Sequence, residues 1–71
     1  MSSHTYQIVE LVGTSPDGVD AAISNAITAA AEQVGEVGWY EVVQIRGHVE
    51  DGNVAHHQVT VKVGGRLPGD E

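Results

Sequence analysis

The chain has 71 residues, enough for one domain, and a chain of this size buries only about 60% of the surface that its unfolded form exposes. It has no cysteine, so disulfides cannot supplement a small core, and assembly of several copies is the common alternative. The formal charge of −7 argues against nucleic acid and membrane partners, because both require concentrated positive charge. No apolar run approaches about 18 residues and residues 1–5 lack a signal region, so we expect a cytoplasmic protein.

The first predicted strand covers residues 5–12, which are mainly β-branched, aromatic and aliphatic, and Gly13 is expected to close it. A helix is predicted to begin directly afterwards, for three reasons. The Ser15 hydroxyl can cap unpaired backbone N–H groups, Pro16 suits the first helical position, and Asp17 complements the positive end of the helix dipole.

The predicted helix carries one apolar stripe, whose members recur at spacings of three and four residues. They are Val19, Ile23, Ile27, Ala30 and Val34. Most polar residues of the segment fall elsewhere, so this stripe is expected to pack on the sheet. Gly35 is expected to end the helix in the left-handed conformation.

Residues 39–49 and 56–63 alternate between apolar and polar side chains, which predicts two strands with one apolar face each. A two-residue turn at Asp51 and Gly52 would set apolar residues opposite polar ones, so we predict a three-residue loop that includes Asn53. The predicted pairs are Ile45 with Val59, Val43 with Val61, Arg46 with Gln58, and His48 with His56. The whole chain is therefore predicted to be an α+β fold of order β-α-β-β, a three-stranded antiparallel sheet wrapped on one helix.

No arrangement typical of an enzyme or a metal site is present in the sequence. The chain lacks a cysteine nucleophile, and its serines lie in the N-terminal tail, at the helix start and within the helix. His48 and His56 are predicted to face each other, but two ligands are too few for structural zinc, and His57 points to the other side. We expect neither catalysis nor metal binding.

Three segments resemble dodecins, small flavin-binding proteins that assemble as hollow shells of twelve subunits. In chain order they read VELVGTS, GWYEVVQIRGHVE and HQVTVKVG, beginning at residues 9, 38 and 57. The resemblance implies a single dodecin-like domain over residues 1–71 that forms a homododecamer. It also implies that two Trp39 side chains, one from each of two subunits related by a two-fold axis, sandwich a pair of stacked flavin rings. Gln58 is implied to form hydrogen bonds with the ring edge. The candidate flavin-binding residues are Trp39, Gln58, Arg46, Val49, Lys62 and Arg66.

The same resemblance implies FMN as the ligand, with riboflavin or FAD as alternatives and coenzyme A as a further ligand. Arg46 is the first candidate to hold the flavin phosphate, and Lys62 and Arg66 are further candidates; a surface ion pair is the alternative for Arg46. The implied function is storage of flavin with quenching of its photochemistry. A coenzyme A carrier, a purely structural shell and a flavoenzyme are the competing hypotheses.

Strand alternation leaves one conflict open. In the predicted register, odd-numbered and even-numbered residues lie on opposite faces, so Trp39 and Gln58 would be on opposite faces of a flat sheet. They can meet if the strand bulges or twists, or if they come from different subunits. Two residues depart from the dodecin pattern: His57 replaces a usual Tyr or Trp, and Gly65 a usual Phe, which affects packing between subunits. The polar tail 66–71 is expected to be ordered only where a neighbouring subunit holds it.

Overall fold

The computed structural model describes residues 4–67, and these residues form three strands and one helix. The elements in chain order are strand β1 (Tyr6–Ser15), helix α1 (Val19–Ala30), strand β2 (Glu36–Glu50) and strand β3 (Asn53–Arg66). This order confirms the predicted β-α-β-β arrangement. Residues 68–71 of the predicted polar tail lie outside the described part of the chain, as do residues 1–3.

The three strands form one antiparallel sheet in the order β1-β3-β2, with the C-terminal strand in the centre. Strand β3 pairs with β2 through a hairpin and with β1 along its whole length, from the pair Tyr6–Arg66 to the pair Ser15–His57. Helix α1 connects the two outer strands and packs on one face of the sheet. The predicted antiparallel sheet with a single covering helix is confirmed.

Helix α1 begins at Val19, three residues later than the predicted first helical position. Ser15 is still part of β1, and its hydroxyl oxygen accepts a hydrogen bond from the backbone N–H of Asp17 at 3.0 Å. Ser15 makes this hydrogen bond before the helix starts, so Gly18 is the N-cap, and no side chain of the described residues caps the helix. Gly18 has a φ of 149°, a conformation that favours glycine. The predicted serine cap is therefore wrong, and Asp20 is the acidic residue of the first turn.

The helix ends at Ala30, and the predicted left-handed stop at Gly35 is wrong. Ala31 keeps a right-handed conformation, and tight turns follow in which Gln33 N–H donates to the carbonyl of Ala30 at 2.9 Å. The Gly35 N–H instead donates to the carbonyl of Arg66 at 3.0 Å. Gly35 thus links the end of the α1–β2 connection to the central strand β3 through a backbone hydrogen bond.

The core lies between a row of alanines on α1 and a row of valines on β3. Its fully buried members are Ala22, Ala26, Ala30, Val59, Val61 and Val63. Of the predicted stripe, Ala30 and Val34 are buried, whereas Val19, Ile23 and Ile27 are half-buried at its flank. Small side chains let the helix axis lie close to the sheet, so the line of contact follows the alanines rather than the larger residues.

Gly13 marks the closest approach of the helix to the sheet. It does not close β1 as predicted, because the strand continues to Ser15. A β-carbon at Gly13 would overlap the carbonyl oxygen of Ala22 and lie 2.9 Å from the β-carbon of Ala26. A glycine is needed here because the helix backbone occupies the space of a side chain.

The β2–β3 hairpin has the two-residue turn that simple alternation rejects. Asp51 and Gly52 have φ values of 54° and 80°, as the tight turn of an Asp-Gly hairpin requires, and Glu50 pairs directly with Asn53. The register then shifts, because Ala55 on β3 has no partner on β2. This bulge restores the predicted pairs Ile45–Val59, Arg46–Gln58 and His48–His56. The predicted loop is wrong, but most of the predicted register is confirmed.

Among residues 4–67, little of the chain covers the faces of strand β2. The helix packs on β1 and β3, and every residue of β2 is exposed except the half-buried Val37. The exposed large apolar residues of this strand are Trp39, Tyr40, Val42, Val43, Ile45 and Val49. Within residues 4–67, α1 is too short to qualify as a membrane-spanning helix.

Candidate functional site

A bulge in β2, separate from the one at Ala55 of β3, decides which side of the sheet carries Trp39. Val42 pairs with Val61 and Gln44 with Thr60, so Val43 is an extra residue without a partner. The predicted Val43–Val61 pair is therefore wrong. Because one extra residue inverts the alternation of side chains, the part of β2 before the bulge has the opposite phase from the part after it.

The bulge brings Trp39 and Gln58 to the same side of the sheet. Trp39 pairs with Gly64 and Arg46 with Gln58, and residues 58 and 64 of β3 point to the same face. We call this the outer face; it is the side of the sheet away from α1 and includes Gln58, Lys62 and Gly64 of β3. A bulge, one of the two solutions that the sequence left open, thus resolves the conflict of faces.

The indole of Trp39 lies flat on the backbone of Gly64. A β-carbon at Gly64 would overlap three atoms of the fused ring, Cδ2, Cε2 and Cζ2, which places the face of the ring rather than its edge over this residue. Gly64 is buried beneath it, while Trp39 remains 42% exposed. One ring face therefore rests on the sheet, and the molecule presents an aromatic platform on its outer face.

Gln58 is held by its cross-strand neighbour Arg46. The Nε of Arg46 donates a hydrogen bond to Oε1 of Gln58 at 3.1 Å. This contact orients the amide, so that its NH₂ group remains available to donate to a ligand. Arg46 makes no other hydrogen bond or ion pair with residues 4–67, and its terminal nitrogens can meet an anion.

Trp39 and Gln58 of one chain are too far apart to contact the same flavin ring. Gly64, which carries the indole, lies six residues from Gln58 along β3, or about 20 Å at the rise of an antiparallel strand. This distance exceeds the length of a three-ring isoalloxazine. The shared face alone does not assemble the site.

The other two cations of the outer face flank Gly64 on β3. Lys62 lies between Glu10 of β1 and Glu41 of β2 in the sheet. Arg66 lies at the end of β3, where its Nη2 is 2.6 Å from the imidazole nitrogens of His4 and its buried Nε has no hydrogen-bond partner within residues 4–67. Both are two residues from Gly64, about 7 Å along the strand.

Val49 does not join the other candidates. It pairs with Val54 near the tip of the hairpin, is 59% exposed, and follows the outer-face residue His48 on the alternate side of the strand. The structure thus brings Trp39, Gln58, Arg46, Lys62 and Arg66 to one face and places Val49 apart from them.

The predicted histidine pair is present, but it does not form a cluster of metal ligands. His48 pairs with His56, and its Nε2 lies 3.2 Å from Oε2 of Glu50. Within residues 4–67, no group of three or more His, Asp or Glu side chains is placed to hold a metal ion. His57 pairs with Gly47 and Ser15 on the face that carries α1.

Comparison with known proteins assigns the chain to a family. The dodecin family model matches residues 5–67. The chain belongs to the dodecin family. It is 44% identical over 62 residues to a dodecin from Thermus thermophilus, which covers 87% of this chain and 90% of the relative. Dodecins are generally small flavin-binding proteins and are not a known family of enzymes.

Solved dodecin structures have the same fold. The dodecin from Streptomyces coelicolor is 57% identical, with a TM-score of 0.86 over 94% of this chain and 96% of its own. The dodecin from Streptomyces davaonensis is 53% identical, also with a TM-score of 0.86, over 93% of this chain and 97% of its own. The arrangement of one helix on a three-stranded antiparallel sheet is thus the dodecin fold.

Gly64, which lies under the indole of Trp39, is not among the residues predicted from the sequence. The available signal was a pair of glycines, Gly64 and Gly65, in a strand otherwise rich in valine, since glycine within a strand often marks a close approach. Gly65, noted as a departure from the family pattern, lies on the opposite face. A β-carbon there would lie 2.8 Å from Cγ2 of Val34, so Val34 fills the space of a larger side chain.

Proposed function

We propose that this dodecin binds FMN flat against Trp39, at a two-fold axis between two subunits of a dodecameric shell. Its role is to store flavin and to quench its photochemistry. The observation that supports this function most strongly is the aromatic platform, an indole held flat on Gly64 and open on the other side. A flat π-face of this kind stacks on planar aromatic ligands.

Two observations support a site shared between subunits. Trp39 and Gln58 lie on one face but about 20 Å apart along the strand, so one chain cannot supply both to the same ring. An antiparallel arrangement of two copies, outer face to outer face, brings the Trp39 of one copy toward the Gln58 of the other. The uncovered apolar surface of β2 gives further copies a large area to bury.

The side chains of the outer face have distinct roles in this proposal. Trp39 stacks on the ring, and the NH₂ group of Gln58 donates to a ring carbonyl. Arg46 orients that amide through its Nε and offers its terminal nitrogens to the phosphate, and Lys62 and Arg66 add positive charge beside the platform. These cations in an otherwise acidic chain favour FMN over uncharged riboflavin.

Storage follows from the same stacking. Light-excited flavin is a strong one-electron oxidant. The indole of Trp39 is electron-rich and in contact with the ring, so it can quench the excited state before other reactions occur. Stacking on both faces also leaves little of the ring accessible to a substrate, whereas hydride transfer requires open and oriented access.

The test is substitution of Trp39 in the assembled protein. Trp39→Ala should weaken FMN binding by about 0.5–1.5 kcal/mol per stacked face beyond the loss of buried area, and should lengthen the fluorescence lifetime of bound FMN. Trp39→Phe keeps an aromatic face but is a poor electron donor. It should retain more affinity than Trp39→Ala while quenching less than the parent protein.

Flavin titration, lifetime measurement and light scattering on the same samples separate the outcomes. Stacking predicts that affinity and quenching fall together while the size of the particle is unchanged. A Trp39→Ala particle of normal size that binds and quenches FMN as well as the parent would refute the stacking mechanism. Loss of assembly before any loss of binding would place Trp39 in a packing role.

A further inference from the structure

We infer that Gly64 is a positioning residue of the flavin platform: the missing side chain at this position of β3 is what makes the indole of Trp39 lie flat on the sheet. This inference rests on the proposed role of Trp39 in flavin stacking. The central strand then contributes to ligand recognition through a residue that has no side chain.

The geometry of the pair explains the effect. Side chains in a strand normally stand roughly perpendicular to the sheet, and directly opposed residues have β-carbons about 4.5–5.5 Å apart. A side chain opposite Trp39 would keep the indole upright. With Gly64 in this position, the ring folds across onto the neighbouring strand, where a β-carbon would overlap three of its atoms.

The backbone itself does not require glycine at this position. Within residues 4–67, Gly18 and Gly52 are the glycines with positive φ, so Gly64 has a conformation that other residues adopt readily. Glycine inside a strand is destabilising relative to alanine because it loses more conformational freedom on folding. The space taken by the indole is therefore the structural reason for glycine at residue 64.

The flat ring also decides what the site can bind. A platform parallel to the sheet accepts a planar, multi-ring ligand that lies along the outer face. Lys62 and Arg66 then stand on either side of that ligand, each two residues from Gly64. An upright indole would instead offer its edge and would separate the ring from these cations.

Gly64→Ala tests the inference, with Gly38→Ala as the matched control. A β-carbon at Gly38 would meet only the carbonyl oxygen of Gly64, at 3.9 Å, so the same substitution beside Trp39 leaves the ring in place. Gly64→Ala should weaken FMN binding roughly 2- to 12-fold, the loss expected for one aromatic stack, and should lengthen the lifetime of bound FMN. Gly38→Ala should change neither.

A second measurement needs no ligand, because Trp39 is the only tryptophan in the chain. In flavin-free protein, Gly64→Ala should shift the tryptophan emission and increase its quenching by acrylamide, since the indole leaves the backbone. Gly38→Ala should leave both unchanged. Unchanged emission and accessibility in Gly64→Ala would overturn the inference whatever the flavin does.

A double-substitution cycle covers the case in which Gly64→Ala unfolds the protein. If the indole is the cause, Gly64→Ala should be costly in the parent and nearly neutral in a Trp39→Ala background. An equal cost in both backgrounds overturns the inference. If Trp39→Ala weakens FMN binding and Gly64→Ala does not, the positioning role is wrong and the proposed function stands; if neither weakens it, both are wrong.

Discussion

Arg46 contacts Gln58 through Nε and keeps its terminal nitrogens for a ligand, which gives it two separable contributions. Arg46→Ala should weaken FMN by about 1.5–3 kcal/mol more than riboflavin, because it removes a charge-assisted hydrogen bond to the phosphate. Gln58→Ala is the control, and it should weaken both ligands equally since the amide meets the ring. Parallel titrations at fixed ionic strength measure the difference. If Arg46→Ala weakens the binding of FMN and riboflavin equally, Arg46 orients the Gln58 amide but does not bind the phosphate.

The individual site residues were predictable to different degrees. The resemblance to dodecins supplied Trp39, Gln58 and Arg46, and alternation supplied the Arg46–Gln58 pair. The platform itself was not predictable from the alternation of side chains. It depends on a bulge at Val43, and nothing in the sequence distinguishes this valine from the paired valines of the strands. The partner of Trp39 across the sheet, Gly64, becomes visible only once that bulge is known.

Gly13 sets the distance between helix and sheet. Gly13→Ala should destabilise the protein by about 1–3 kcal/mol, the usual cost of overpacking, because the added methyl group would overlap the backbone of α1 at Ala22. Denaturant unfolding at a fixed protein concentration measures this cost. Gly38→Ala is the control, because a β-carbon there would make only an ordinary contact, 3.9 Å from the carbonyl oxygen of Gly64, and it should lie within about 0.5 kcal/mol of the parent. A neutral Gly13→Ala would show that the helix can move outward without loss.

The order of the secondary-structure elements followed from the sequence, but their ends did not. Hydrophobic periodicity identifies a helix and two alternating strands, yet the hydroxyl of Ser15 bonds within a turn and not at the helix start. Alternation disfavours the two-residue turn at Asp51 and Gly52 only if the strand register continues without interruption. A single unpaired residue, Ala55, corrects that register, and alternation contains no sign of it.

In the proposed dodecamer, burial of the uncovered apolar surface favours assembly and the net negative charge opposes it. Strand β2 exposes an apolar surface that a single chain leaves in water, so the folded chain is expected to exist as an oligomer. Twelve chains at −7 each carry a formal charge of −84, and this repulsion is reduced by salt. The assembly should therefore lose thermal stability as the sodium chloride concentration falls.

Sedimentation and thermal unfolding across a salt series test both statements. Sucrose at matched osmolality is the control for effects unrelated to charge. A compact folded monomer at micromolar concentration would contradict obligate assembly and, with it, the two-fold flavin site. A midpoint of unfolding that does not depend on salt would show that the charges are already compensated within the shell.

The strand order β1-β3-β2 has a consequence for synthesis on the ribosome. Within residues 4–67, the central strand β3 is translated after β1 and β2, and both of these strands pair with it rather than with each other. A nascent chain that ends before residue 53 can form α1, but it has no strand on which β1 or β2 can pair. The sheet, the contacts of the core valines and the seat of the indole therefore form only after residues 53–66 have left the exit tunnel. A chain that stops before β3 lacks Gly64 and Gln58, so it cannot form any part of the proposed flavin site that depends on them.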